Sequence, residues 1–197
     1  MASPRSRASD PYRCESLRLA DGRELWLRPI DPADTAPIDA AFSLLHEDEV
    51  RRRFLHPVKA LSPDHLLRLT HPPTHEAYAI VAAEPLPAGE ALVGAVARAA
   101  RETTGSDRAE FGLLVSHYIA GQGLGRRMLS RLIEWSRREG LRTLWGDTLE
   151  DNLPMLRVAD TLGFRREALR DASGLIRISL DLTRPVPKPK PRRHRPA

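Results

Sequence analysis

The chain has 197 residues, a formal net charge of +5 at pH 7, and 41% hydrophobic and 29% charged residues. This length suffices for one domain with a hydrophobic core, and the composition is typical of a globular protein. No apolar run approaches the roughly 18 to 20 residues that span a membrane, and the basic N-terminus lacks the apolar stretch of a secretory signal. The single cysteine, Cys14, excludes an internal disulfide framework. We therefore expect a cytoplasmic protein without a membrane segment.

The positive charge is concentrated at the C-terminus. From Arg184 onward the chain holds six Lys or Arg and no acid, so residues 1–183 carry a formal net charge of −1. A basic, proline-rich stretch cannot bury a core. We predict a flexible tail over residues 1–15, one folded domain over 16–183 and a disordered tail over 184–197. We expect the basic tail to be solvated rather than to bind nucleic acid.

Short elements come first along the chain. Alternation of apolar and polar residues around Asp21 and Gly22 predicts a β-hairpin. A helix is predicted over 34–45, and a second in "SPDHLLRLT", where Ser62 is a credible N-cap. Further strands are predicted over residues 76–84, 91–101, 108–116, 143–149 and 164–168 and in "LIRISLDL".

The longest predicted helix begins in "AGQGLGRRM", residues 120–128, and ends at Gly140. A strand that passes through glycines into a helix directs several unpaired N–H groups to one place, which suits phosphate. Neither familiar phosphate loop fits: Gly125 is followed by two arginines, where a P-loop needs Lys and then Ser or Thr, and a dinucleotide fingerprint needs glycine at position 126. Taken alone, these glycines favour an ordinary turn.

The neighbouring segments add a second signature. "LLVSHYIAGQGLGRRMLSRLIEW" followed by "DTLEDNLPMLRVADTLGF" resembles the GNAT superfamily of acetyl-CoA-dependent N-acetyltransferases. The family's loop, Arg/Gln-x-x-Gly-x-Gly/Ala, falls on residues 120–125, and the Asn152 helix ending in Leu-Gly-Phe matches the second signature. The resemblance covers residues 25–182. It implies an α/β (α+β) fold with a mixed, mostly antiparallel sheet of about six to seven strands and helices on both faces.

The resemblance also implies where acetyl-CoA binds. The strand at Leu113 would splay from "TLWGDTL" and offer backbone groups to the pantetheine arm, while the glycine loop holds the pyrophosphate. The implied coenzyme-binding residues are Leu113, Leu114, Val115, Gly121, Gln122, Gly123, Leu124, Gly125, Arg126, Arg127 and Asn152. Either arginine could equally be a solvated helix residue, and Asn152 a plain N-cap.

Two positions depart from the family pattern. Ala120 replaces the first Arg or Gln of the loop, so Gln122 or Arg126 would have to compensate. Ala159 stands where many members carry the Tyr that protonates the departing thiolate. The general acid is therefore unassigned.

Acetyl transfer to an amine requires the neutral amine, and a lysine of pKa near 10.4 is about 0.04% neutral at pH 7. Glu110, in "RAEFGLLV", is our candidate for the base, and its small or apolar neighbours predict that it is buried. This segment further resembles protein-lysine acetyltransferases, notably the domain that acetylates acyl-CoA synthetases, in which a Glu here is the base. The alternative role is a salt bridge from Glu110 to Arg108 or Arg98.

The rival candidates are Asp147 on the other strand, as base or substrate contact, and His117 as a catalytic residue. His71 and His75 could contact the acceptor, although ordinary loop positions are favoured for both. No His, Cys or Asp set has the sequence spacing of metal ligands, so no metal is expected. We predict an acetyl-CoA-dependent N-acetyltransferase that works by direct attack in a ternary complex. A protein lysine is the preferred acceptor, and monomers or homodimers are expected. The alternatives are a small-molecule amine acceptor and a non-catalytic acyl-CoA-binding module.

Overall fold

A computed structural model describes residues 10–169 and 174–184, which form one eight-stranded sheet with helices on both faces. The strands are β1 (Glu15–Arg18), β2 (Glu24–Pro29), β3 (Ala77–Ala83), β4 (Val93–Arg101), β5 (Arg108–Val115), β6 (Thr143–Leu149), β7 (Arg165–Ala168) and β8 (Leu175–Asp181). The α-helices are α1 (Thr35–Phe42), α2 (Glu47–Phe54), α3 (Pro63–Thr70), α4 (Leu124–Arg138) and α5 (Leu153–Leu162).

The sheet runs in the order β1-β2-β3-β4-β5-β6-β8-β7, and β5–β6 is its one parallel pair within the described ranges. This confirms the mixed, mostly antiparallel sheet. The expected six to seven strands are too few, because the four-residue strands β1 and β7 both pair along their length. β5 and β6 are parallel because α4 connects them as a crossover.

A different group of helices covers each face of the sheet. On one face, Met128, Leu132 and Trp135 of α4 are buried in a core that also includes Leu156 of α5. On the other face, α1 and α3 pack against β3 and β4 through a smaller cluster. That cluster contains Ile38, Leu66, Leu69, Ala79, Val81, Ala83, Ala91 and Val93. The second face thus has the thinner cover of apolar side chains.

Helix α2 is absent from the sequence predictions. Its residues, "EDEVRRRF", bury one apolar side chain, Val50, so it lacks the apolar stripe that predicts a helix. Its signals are electrostatic: Glu47, Asp48 and Glu49 lie in its first turn and three arginines in its last, which suits the helix dipole.

Residues 10 to 15, which the sequence analysis assigns to a flexible tail, pack against the domain. Arg131 of α4 is buried, and its guanidinium donates to the carbonyl oxygens of Pro11 (2.9 Å) and Arg13 (2.7 Å) and to Glu15 (3.0 Å). The Tyr78 hydroxyl also donates to Pro11. The rest of that predicted tail and residues 185–197 lie outside the described residues. Across the described ranges, the structure contains no helix that is both long and apolar enough to cross a membrane.

Candidate functional site

The sheet splits between β5 and β6. The two strands pair only where residues 108–110 face residues 143–145. Beyond Glu110, β5 stays paired with β4 as far as Val115, while β6 stays paired with β8 as far as Leu149. The splay that the sequence analysis expects is therefore present, and it opens a gap between two backbone edges.

Alternate residues of β5 direct their backbone groups into this gap. Ser116 N–H donates to Gly94 on the β4 side, and alternation along an antiparallel strand assigns Leu114 to that side as well. The backbone groups of Leu113 and Val115 therefore face the gap. The backbone groups of Leu114 therefore do not face the gap. Its side chain lines a cavity on the face of the sheet that is covered by α1, α2 and α3.

The glycine loop, residues 120–125, leads into α4 at the far end of this gap. From Gly121 to Arg126, the backbone N–H groups have no hydrogen-bond acceptor within the described part of the chain. Gly121 and Gly123 both have φ of 78°, a left-handed conformation that favours glycine. Gly125 has no such φ, and a Cβ there would meet only ordinary contacts, the nearest at 3.4 Å from Leu113. The loop thus offers a row of free N–H donors that suits an anion.

The side chains of the loop are occupied elsewhere. Gln122 accepts from Ala20 N–H (2.7 Å) and donates to Asp21 (3.2 Å), which ties the loop to the β1–β2 turn. Arg127 forms an ion pair with Glu15 at 2.8 Å. Arg126 is exposed and has no hydrogen bond or ion pair among the described residues. Arg126, rather than Gln122, is thus the loop side chain free to replace what Ala120 lacks.

Asn152 acts as the N-cap of α5. Its side-chain oxygen accepts from Met155 N–H (3.2 Å), and its amide donates to the Thr148 hydroxyl (3.1 Å). Both functions of the side chain are therefore engaged within the protein. Ala159, on the same helix, is fully buried in the core beneath the sheet, so it offers no proton donor.

Glu110 lies on β5 at the point where β6 separates from it. It lines a cavity of about 150 Å³ that also borders Asp147 and Asn152. The expected burial of Glu110 is wrong: it is exposed, because its face of β5 opens to this cavity rather than to the core. It has no ion pair among the described side chains, and Arg108 pairs with Glu102 instead (3.1 Å). A carboxylate that is accessible and unpaired is available to accept a proton.

The rival bases are engaged in other contacts. Asp147 accepts two hydrogen bonds from Arg177, at 2.8 and 2.7 Å, and this pairing raises the pKa of Arg177. His71 is hydrogen-bonded to Thr70, and His75 to Glu139 at the end of α4. These contacts favour structural roles for all three candidates.

His117 belongs to a cluster that the sequence analysis did not predict. The ligand atoms of His46, Glu49 and His117 lie within 4.8 Å of one another, although His117 is far from the other two in sequence. Glu49 already accepts from both backbone N–H groups of the histidines and contacts the His117 ring at 2.9 Å. Burial raises the pKa of Glu49, but these hydrogen bonds outweigh it and lower the pKa overall. The cluster therefore ties α2 to the end of β5.

A larger cavity, of about 550 Å³, lies on the face of the sheet covered by α1, α2 and α3. Its walls are mainly apolar and include Phe42, Leu45, Phe54, Leu61, Leu69 and Val96. Arg53, Phe54 and Gly112 line both this cavity and the smaller one beside Glu110. The two cavities therefore adjoin. The sequence analysis did not find this site, since its residues come from separated helices, strands and loops between residues 23 and 119.

Comparisons with known proteins agree with this geometry. A family model described as "Acetyltransferase (GNAT) domain" matches residues 24–165. The GNAT domain of Streptomyces lividans PAT is 23% identical with a TM-score of 0.73, over 85% of this chain and 96% of that one. The structure of yncA from Salmonella typhimurium, which contains acetyl-CoA, is 20% identical with a TM-score of 0.64, over 83% and 97%. A cAMP-binding acyltransferase from Mycobacterium smegmatis is 22% identical with a TM-score of 0.58, over 87% of this chain and 48% of that one.

Proposed function

Because the chain belongs to the GNAT family of acetyl-CoA-dependent acetyltransferases, we propose that it transfers acetyl to a primary amine with Glu110 as the general base. The observation that carries this proposal is the position of Glu110, exposed and unpaired where β5 and β6 separate. The gap suits an extended amide-bearing chain, and the row of free N–H groups from Gly121 to Arg126 suits its phosphates. The residues present therefore fit acetyl-CoA.

The chain's own groups act on the amine and on the carbonyl oxygen. Acetyl-CoA supplies the thioester whose acetyl group is transferred. Glu110 accepts a proton from the incoming ammonium, which leaves the nitrogen lone pair free to attack the carbonyl carbon. One gap-facing N–H group of β5, at Leu113 or Val115, donates to the oxygen as negative charge develops there.

The C–S bond then breaks, and the electron pair leaves with the sulfur. An aliphatic thiol has a pKa of about 8.5, so a thiolate leaves readily. The nitrogen, which after the attack carries one proton more than the amide product, releases that proton, and solvent water relays it to the thiolate. Glu110 then returns the proton it accepted to solvent. This route needs no acid at position 159, where the methyl group of Ala159 has no proton to donate. Transfer without a tyrosine acid is therefore compatible with the site.

The acceptor has two candidates. A protein lysine is the acceptor that the sequence resemblance favours, and the exposure of Glu110 lets a side chain approach from solvent. A small-molecule amine is the second, and the specific observation in its favour is the large cavity that adjoins Glu110.

The test is thiol release from acetyl-CoA with a mixed peptide library and with a panel of small amines. We expect release that depends on an added amine, together with an acetylated product in the mass spectrum. Binding of acetyl-CoA without release for any amine would contradict the proposal and would favour a non-catalytic acyl-CoA-binding module.

A further inference from the structure

Two guanidinium groups meet where the two cavities adjoin. Arg98 of β4 faces Gly112 directly across the β4–β5 ladder, and a Cβ on Gly112 would overlap the guanidinium of Arg53. Both arginines are half-buried, and both line the large cavity. They therefore lie over the same glycine, and the missing side chain makes room for Arg53.

Neither guanidinium is neutralised by a direct partner. Within the described residues, no hydrogen bond or ion pair to a side chain involves Arg53 or Arg98, and Arg98 Nε is buried without an acceptor. The buried Nε of Arg98 is costly, because a polar group that is buried without a hydrogen bond loses its hydration without compensation. An unsatisfied guanidinium inside a cavity is a donor that is free for a ligand.

The surrounding charges leave a positive surplus. Burial lowers the pKa of Arg53, and the nearby Arg98 lowers it further, while Glu110 raises it. Burial likewise lowers the pKa of Arg98, together with the positive charge of Arg68, and Glu110 again opposes this. His65, which also lines the cavity, has its pKa lowered by burial and then by these arginines. Glu110 is thus the acid that acts on both guanidiniums, and one more negative group would balance the site.

The distance to Glu110 limits the size of a ligand that uses both features. Glu110 and Gly112 lie two residues apart on the same face of β5, which is about 6.6 Å along a strand. One small molecule can therefore place an amine at Glu110 and an anion at the arginines. A lysine side chain brings four methylene groups and no anion, so it leaves both guanidiniums unbalanced.

We propose that Arg53 and Arg98 bind a carboxylate of the acceptor, and that the acceptor is a small α-amino acid with an apolar side chain. A guanidinium pairs with a planar carboxylate through two parallel hydrogen bonds. The apolar walls of the 550 Å³ cavity accommodate the side chain. This inference rests on the proposed function, since it names the acceptor class of the same site.

The test uses the full chain with acetyl-CoA and matched pairs of amines. Leucine is compared with isopentylamine, and phenylalanine with 2-phenylethylamine, so each pair differs only in the carboxylate. We expect kcat/KM for thiol release to be about 10- to 100-fold higher for the amino acid of each pair. Arg98→Gln should remove this preference by raising KM for the amino acid much more than for the decarboxylated amine. Arg68→Gln, at an exposed arginine paired with Asp64, is the control and should keep the preference.

Binding is measured separately by titration calorimetry of leucine into the protein with coenzyme A. Binding that Arg98→Gln abolishes supports the carboxylate site, even where no turnover follows, and in that case only the proposed acetyl transfer is contradicted. Turnover with lysine peptides or simple amines, without a preference for the carboxylate, overturns the inference and leaves the proposed function intact. Failure of leucine and phenylalanine both to bind and to react also overturns it.

Discussion

The two sides of the β5–β6 split present different kinds of hydrogen-bond donor, backbone groups on one side and side chains on the other. The glycine loop offers backbone N–H groups, while the side chains of Gln122 and Arg127 are occupied by internal contacts. The large cavity offers side chains, namely Arg53, whose guanidinium lies over the Phe54 ring at 4.9 Å, and Arg98, and neither has a hydrogen bond or ion pair among the described side chains. A ligand common to a family can be held by the backbone, whereas a ligand particular to one chain needs side chains. The difference therefore separates a coenzyme side built from backbone groups from a proposed acceptor side built from side chains.

The base that lies between the two sides gives the largest expected effect. Glu110→Gln should lower turnover by about 10²- to 10⁴-fold while acetyl-CoA affinity is nearly unchanged, because only proton removal is lost. Thiol release at saturating acetyl-CoA and calorimetry measure the two quantities. Asp147→Asn is the comparison, and it should keep turnover close to that of the unmodified protein. Unchanged turnover in Glu110→Gln would exclude this residue as the base.

The cost of an unpaired arginine tests the cavity side. Arg98→Met should raise the free energy of unfolding by about 1 kcal/mol or more, since it removes a buried charge without a partner. Urea denaturation measures this change. The matched control is Arg28→Met. Arg28 pairs with the fully buried Asp34 at 2.7 Å, so this change leaves a buried carboxylate without its ion-pair partner and should lower stability by about 3–5 kcal/mol. A loss of stability in Arg98→Met would show that Arg98 supports the fold rather than a ligand.

The glycine loop is tested at Gly125. Gly125→Val should weaken acetyl-CoA binding about tenfold, or about 1.4 kcal/mol, because a branched side chain at the start of α4 would crowd the row of free N–H groups, where the family motif has only Gly or Ala. Gly125→Ala is the matched control: neither φ nor packing requires glycine there, so affinity should be kept, and stability should rise by up to about 1 kcal/mol because alanine favours a helix. Gly140→Ala, at a φ of 70° beyond α4, should lower stability and leave affinity unchanged. Unaltered affinity in Gly125→Val would contradict close contact between this loop and the coenzyme.

The smallest effect is expected at Gln122. Gln122→Ala removes the bonds to the β1–β2 turn and should lower stability by about 1 kcal/mol. Acetyl-CoA affinity should not change, because the backbone rather than this side chain faces the ligand. Thermal denaturation and calorimetry provide the two measurements. A large loss of affinity would instead show that Gln122 takes over the role of the Arg or Gln that Ala120 replaces.

The sequence predicts the backbone-built side well. The strand segments along the chain, the Ser62 and Asn152 caps and the long helix after the glycines follow from local patterns of polarity and turn chemistry. The position of Glu110 on β5 is also predicted. Its exposure is not, because that depends on where β6 diverges.

The cavity side could not be predicted from local patterns. Arg53 and Arg98 are 45 positions apart, and they meet only because α2 packs over β5. The sequence signal for α2 is charge rather than an apolar stripe, and Gly112 is informative only once a neighbour is seen to overlap its missing Cβ. A site built by tertiary packing therefore leaves little trace in any single window of sequence.

The alternation of backbone groups along β5 has a consequence for hydrogen exchange. In the free protein, the amide hydrogens of Leu113 and Val115 should exchange rapidly with deuterium, while that of Leu114, bonded to β4, should be protected. Acetyl-CoA should slow exchange at Leu113, Val115 and residues 121–126 together. The coenzyme would then occupy the position of a missing strand, and the gap-facing N–H groups of β5 would be protected only when it is bound.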